Sequence, residues 1–199
     1  MISFADSFVA ESIAVLSEVD TSEVEKCVAV LRQVRDRDGR LFVLGVGGSA
    51  GHASHAVNDF RKLCGIEAYA PTDNVSELTA RTNDEGWDTT FEAWLTVSRL
   101  RADDAVLVFS VGGGNAVAGV SVNLVRALHL ARDRQAAILG IVGRDGGFTR
   151  EVASACVVIP PLYPERVTPH TEGLCAVIWH LVVSHPDLAT TTTKWESLR

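Results

Sequence analysis

The sequence predicts an α/β fold: a three-layer αβα sandwich around a mostly parallel, doubly wound sheet, with a helical extension in front. Three observations predict it. The runs "RLFVLG", "DAVLVFS" and "QAAILGIVG" are apolar throughout rather than alternating, as strands are when helices cover both faces. Each run passes into a cluster of glycines and then toward helical sequence, so the same unit recurs along the chain. The first 38 residues carry helical periodicity and no such run.

Residues 4 to 38 read as two helices. Phe4, Phe8, Ile13 and Leu16 recur at roughly helical spacing in the first. The second opens with Ser22-Glu23-Val24-Glu25, a capping-box pattern, and sets Val24, Val28 and Leu31 on one face. Gly39 ends it after "RDRD". A strand from residue 40 runs into "GVGGSAG", and the helix that follows carries His55 and Asp59. The second unit spans 104 to 119 and the third 135 to 147. A short helix containing Glu151 to Ala155 then leads into the apolar run Cys156 to Ile159. The last long helix is expected from about Pro169 to Ser184, with Pro169 in its first turn. "TTTTKWESLR" is a polar tail, expected to be mobile or used in a subunit contact. No linker divides the chain, so a single domain is expected: a helical extension over 1–38, an α/β core over 39–186 and a tail over 187–199.

A chain of 199 residues is long enough to bury a substantial core. The net charge of −7 argues against a nucleic-acid binder or a basic membrane-surface protein. It leaves room for a phosphorylated substrate, because a local Gly loop holds phosphate in an acidic protein too. Cys27, Cys64, Cys156 and Cys175 are scattered and form no C-x-x-C pair, so they read as small buried hydrophobes in a reducing compartment. "MISFADSFVAES" lacks the positive start of a signal peptide. The apolar run "LCAVIWHLVV" is broken by His180 and is half the ~20 residues a spanning helix needs. A soluble, cytoplasmic protein is expected, without nucleic-acid or membrane partners.

Ligands of open parallel sheets bind at the carboxyl ends of the strands, where Gly-rich turns free backbone N–H groups and helix dipoles attract phosphate. The loops Gly45–Gly51 and Ser110–Asn115 are therefore anion-site candidates. Gly45 to Ala50 also fits the loose dinucleotide pattern G-x-G-x-x-A. That reading needs an acid ending the next strand about twenty residues on. Glu67 is the one candidate, Pro71 soon interrupts its segment, and a second substrate domain is missing.

The motifs resemble a family. "GVGGSAGHASHAVNDF" resembles the opening motif of the phosphoheptose isomerases, a branch of the sugar isomerase (SIS) domain proteins: G-N-G-G-S, then His, then Glu four further on. "SELTARTNDEGW" resembles the family's L-T-A-x-x-N-D segment, "VFSVGGGN" stands at its S-T-S-G-N-S, and "IVGRDGG" matches T-G-x-x-G-G. "TEGLCAVIWH" matches the terminal helix that normally carries Gln and, eight residues later, His.

The resemblance implies conversion of sedoheptulose 7-phosphate into D-glycero-D-manno-heptose 7-phosphate by a homotetramer with active sites at subunit contacts. The family's zinc ligands fall on His55, Asp59, Glu172 and His180, with Asp59 as base and His180 as acid. Gly47, Gly48, Ser49, Ser110, Val111, Gly112 and Asn115 fall on its substrate cradle, with Asn83, Asp84 and Glu172 as further sugar contacts. The departures are Asp59 for Glu, Glu172 for Gln, Val46 for Asn, and Val111, Gly112 and Asn115 for hydroxyl residues. They point to a changed sugar or weaker phosphate binding, as in antibiotic or capsule sugar pathways.

The chemistry of these residue types agrees. Aldose–ketose isomerisation needs a base, an acid and positive charge near a developing oxyanion. His55 and Asp59, four apart on one helix, share a face. Glu172 and His180 lie roughly 12 Å apart along a continuous helix and about 80° around it, so a shared metal would need converging side chains or two subunits. The alternative class is a non-catalytic SIS protein that senses a sugar phosphate or binds a protein.

Overall fold

A computed structural model of the protein describes residues 2–198. Helices α1 (Phe4–Ser17) and α2 (Thr21–Asp36) precede β1 (Arg40–Gly45), α3 (Gly48–Cys64) and β2 (Glu67–Tyr69). Then come α4 (Val75–Asp84), α5 (Thr90–Val97), β3 (Ala105–Ser110), α6 (Val122–Asp133) and β4 (Ala137–Val142). The chain closes with α7 (Gly147–Val152), β5 (Ala155–Val158), α8 (Val167–Val183) and α9 (Lys194–Ser197). The sheet order is β2-β1-β3-β4-β5 and every pairing is parallel. The winding direction reverses between β1 and β3, which makes the loops after these strands the natural ligand crevice.

Period-two alternation splits the strands between two cores. Leu41, Val43, Leu107, Phe109, Leu139 and Ile141 pack with α2, α3 and α8. Phe42, Leu44, Val106, Val108 and Ile138 pack on the other face with α5 and α6. These two layers and the sheet form the expected sandwich. All four cysteines are buried and free. Burial pushes the Cys27 and Cys156 thiols up to about 12 and that of Cys64 to about 11, so none of these three is a ready thiolate.

Buried charge pins the frame. Asp104, fully buried before β3, accepts from Arg40 Nη2 at 2.7 Å and from the backbone N–H of Arg40 and Arg101 at 2.9 and 3.0 Å. This ties together the N-terminal ends of β1 and β3. Glu11 on α1 accepts from Arg166 Nε and Nη2 at 2.6 and 2.7 Å and lies 3.0 Å from His170 Nε2. Phe8 stacks on His170 at 4.6 Å, so α1 is fixed to α8 by one polar knot and one ring pair.

Several elements differ from the sequence reading. Asp20, not Ser22, caps α2: its carboxylate accepts from Ser22 N at 2.9 Å, two residues ahead of the capping-box pattern. Glu23 instead pairs with Lys26 and accepts from Cys156 N, stitching α2 to β5. Helix α8 starts at Val167, two residues before Pro169. The tail is anchored where it begins: Thr190 N and Thr191 Oγ1 donate to Leu63 O and Lys62 O, carbonyls of the last turn of α3 that no helical N–H reaches. No helix among the described residues is long and apolar enough to cross a membrane.

Candidate active site

The site grows from the loop after β1. A β-carbon on Gly45 would overlap the Ser49 carbonyl, and Gly47 sits at φ 63°, so glycine lets β1 turn directly into α3. His55 and Asp59 then stand one turn apart on α3. Helix α8 packs against α3 and brings His180 to the same spot. Both His55 Nε2 and His180 Nε2 lie 3.5 Å from Asp59 Oδ2. The other oxygen, Oδ1, accepts from Asn58 Nδ2 at 3.0 Å. Asp59 is buried while both imidazoles are exposed, so the carboxylate forms the floor of an open cluster.

Against the two imidazoles lies Trp179. Its buried ring meets His55 and His52 edge-on, each at 5.1 Å, and stacks on Phe109 at 5.7 Å. The indole N–H has no partner among the described residues.

One donor atom from each of His55, Asp59 and His180 comes within 4.8 Å of the others. Two imidazole nitrogens and a carboxylate oxygen suit zinc. His180 Nδ1 lies 2.7 Å from Ala176 O; a carbonyl only accepts, so Nδ1 carries a hydrogen and, in the neutral ring, Nε2 has the lone pair.

Glu172 is not in that group. Its carboxylate covers the start of α3, where a β-carbon on Gly48 would lie 2.9 Å from Oε1 and 3.0 Å from Oε2. There it lines an open cavity of about 520 Å³ together with Val46, Ser49, Ser110, Val111, Gly112 and Asn115. Gly47 stands exposed beside it.

The loop after β3 is held from behind. Gly113 N donates to Ser110 Oγ at 3.0 Å, and Thr149 N and Oγ1 both donate to Gly113 O, at 2.9 and 2.7 Å. Gly113 and Gly147 lie at φ 67° and 51°, and β-carbons there would overlap Gly146 O and Gly112 O. The two glycine loops thus dovetail, a fit that excludes side chains. Asn115 makes an antiparallel bridge with Val120, and its Oδ1 accepts from Ala118 N at 2.9 Å.

Asn83 and Asp84 are placed elsewhere, exposed at the end of α4, with Asn83 in a surface hollow beside Trp87 and Leu78. Helix α4 buries none of its residues, so the chain alone does not carry this pair to the cavity. Arg61, two residues past Asp59 on α3, donates to Ala68 O and lies over Tyr69. Sequence reasoning missed Trp179, Ser121, Arg144 and Asp145. Nothing in an apolar "VIWHLVV" marks its Trp as a site residue, and the walls of a cavity are set by tertiary placement.

A family profile described as SIS domain matches residues 7–143. The chain is 30% identical over 177 residues to the phosphoheptose isomerase of Aliarcobacter butzleri, across 86% of this chain and 88% of that one. It is 34% identical over 158 residues to the lincomycin biosynthesis protein LmbN of Streptomyces lincolnensis, across 74% of this chain and 56% of that longer relative. The fold superposes on the phosphoheptose isomerase GmhA from Neisseria gonorrhoeae with a TM-score of 0.77 and 25% identity, covering 90% of this chain and 95% of that one.

Proposed function

The chain belongs to the SIS domain family, and from its likeness to phosphoheptose isomerases we propose that this sugar-phosphate isomerase converts sedoheptulose 7-phosphate into D-glycero-D-manno-heptose 7-phosphate. The observation that carries the reading is the His55–Asp59–His180 cluster, two exposed imidazoles over one buried carboxylate where α3 and α8 pack together.

Asp59 acts as the base. It takes a proton from the carbon beside the carbonyl and returns it to the neighbouring carbon, passing through an enediolate. The bond from Asn58 holds Oδ1, which leaves Oδ2 as the reacting atom. His180 moves the hydroxyl proton between the two oxygens at Nε2, while Nδ1 stays bonded to Ala176 O and fixes the ring. His55 flanks the carboxylate from the same helix face.

The N, O, N donor set fits a divalent cation, and we assign zinc to His55, Asp59 and His180, with Glu172 as the fourth ligand if a second subunit supplies it. When bound, the ion supplies positive charge to the oxygens of the enediolate. Neither His180 Nε2 nor Asp59 Oδ2 can hold a metal and a proton together, so the rate as zinc is titrated tells which role governs.

We read the substrate phosphate onto the Ser110–Asn115 loop of this cavity, which Ser49 also lines. A homotetramer is supported by apolar side chains left bare on α1 and around His180. Val9, Ile13 and Leu16 share one face of α1, and Val177 and Leu181 flank His180 on α8, all exposed. The whole chain is read as one SIS unit, and the free buried cysteines support a cytoplasmic setting. Loss of hydroxyls at Val111 and Gly112 favours a phosphosugar sensor as the second reading.

Incubation of the purified chain with sedoheptulose 7-phosphate, with and without zinc, followed by NMR of the sugar carbons, tests both. The aldoheptose phosphate is expected. Ligand-induced stabilisation without turnover would support the sensor and overturn the isomerase.

A further inference from the structure

Two helix N-termini border the cavity, and they differ in charge. That of α3 already faces an anion of the protein itself, the Glu172 carboxylate packed against Gly48. A phosphate placed there would meet like charge. That of α6 begins at Ser121, a cavity residue, with no side-chain cap and no acidic residue in its first turn. Of the acidic side chains in the cavity wall, Asp145 is engaged by Gly147 N at 3.1 Å.

The cavity wall contains one cation among the described residues, Arg144. It forms no ion pair and no hydrogen bond among them, unlike Arg40, Arg81, Arg126 and Arg166, each bonded to a carboxylate. Its backbone lies at φ 53°, a left-handed conformation that costs a non-glycine residue energy and is retained where the surroundings impose it. Its side chain leans from the loop after β4 onto the loop after β3. A β-carbon on Gly112 would lie 3.9 Å from Arg144 Cδ, an ordinary contact distance, so the side chain runs close along that loop.

We propose that Arg144 binds the phosphoryl group of the substrate, with Ser110 and the bare start of α6, in place of the hydroxyls absent at Val111 and Gly112. This deepens the isomerase reading and rests on it for the identity of the substrate. A guanidinium offers forked donors to a phosphoryl dianion, and a cavity edged by Glu172 and Asp145 needs that charge to take one up.

The test uses the full chain and inorganic phosphate as probe, with affinity measured by calorimetry, in wild type and in Arg144→Met, Arg144→Gly and Arg144→Lys. Glycine relaxes the left-handed backbone, so loss of binding in Arg144→Gly is not a folding defect. Phosphate affinity is expected to fall tenfold or more in Arg144→Met and Arg144→Gly, with partial recovery in Arg144→Lys. KM for sedoheptulose 7-phosphate is expected to rise by a similar factor, more than kcat falls. Wild-type protein that binds no phosphate, or a loss smaller than tenfold in both variants, overturns the assignment. Binding is read without turnover, so an inactive wild type that binds phosphate through Arg144 would sink the isomerase reading and leave this one standing.

Discussion

His180 donates its Nδ1 hydrogen to the carbonyl of Ala176, 2.7 Å away and one turn earlier on its own helix. The bond belongs to the helix itself, so the direction of Nε2 toward Asp59 is set by the fold of α8 before any substrate arrives. Glutamine at 180 would lose both the fixed ring and the shuttle atom. We expect His180→Gln and Asp59→Asn each to lower turnover by about 10²-fold or more, the usual scale of acid–base catalysis. Unchanged far-ultraviolet dichroism alongside wild-type rates would refute the roles assigned to them.

Metal binding is expected to depend on the same three side chains. His55→Ala should weaken zinc by at least about tenfold in direct titration, since one of three gathered ligands is gone. Because Trp179 touches the His55 and His180 rings, zinc should alter indole emission in wild type and not in Trp179→Phe. An unaltered zinc affinity in His55→Ala would move the metal elsewhere.

The dovetailed glycines make a stability prediction. Ala at 113 would hold a β-carbon at φ 67° against Gly146 O, both strained and overlapping. Gly113→Ala should cost about 2 kcal/mol or more in urea unfolding. A variant as stable as wild type would show that the two loops are free to part.

At the opposite end of the strands, Asp104→Ala should cost about 3 kcal/mol, because it leaves the Arg40 guanidinium without its buried partner. Chemical denaturation measures it directly. Turnover per folded molecule should not change.

Acid should loosen α1. The guanidinium of Arg166, and next His170, hold the Glu11 carboxyl at about 2, below its ordinary 4.5. A lowered carboxyl contributes stability in full above 4.5 and loses it as pH falls toward about 2. Hydrogen exchange of α1 should therefore quicken over that window in wild type, and Glu11→Gln should already be fast at neutral pH and lack the acid step.

The sheet and its long helices were legible because their burial is written as unbroken apolar runs and helical periodicity. The segment between the first two units was not. Strand β2 has three residues, one of them buried, and α4 buries none, so neither carries a pattern to read. The cluster residues His55, Asp59 and His180 stood at motif spacing, yet their meeting depends on α8 crossing α3. Arg144 stood in one of the recurring glycine loops and Trp179 in an apolar run, but nothing marked either as a site residue, because a cavity wall exists only in three dimensions.

The Arg40–Asp104 pair and the ligand loops sit at opposite ends of six-residue strands, roughly 20 Å apart at about 3.3 Å per residue. Changes at such separation combine additively. A lineage carrying this scaffold can therefore revise the non-glycine positions of 46–50, 110–121 and 143–146 for a new sugar while the anchor at the other end stays intact. Substrate range and folding then become separately adjustable traits. A laboratory library confined to those three loops starts from that same freedom.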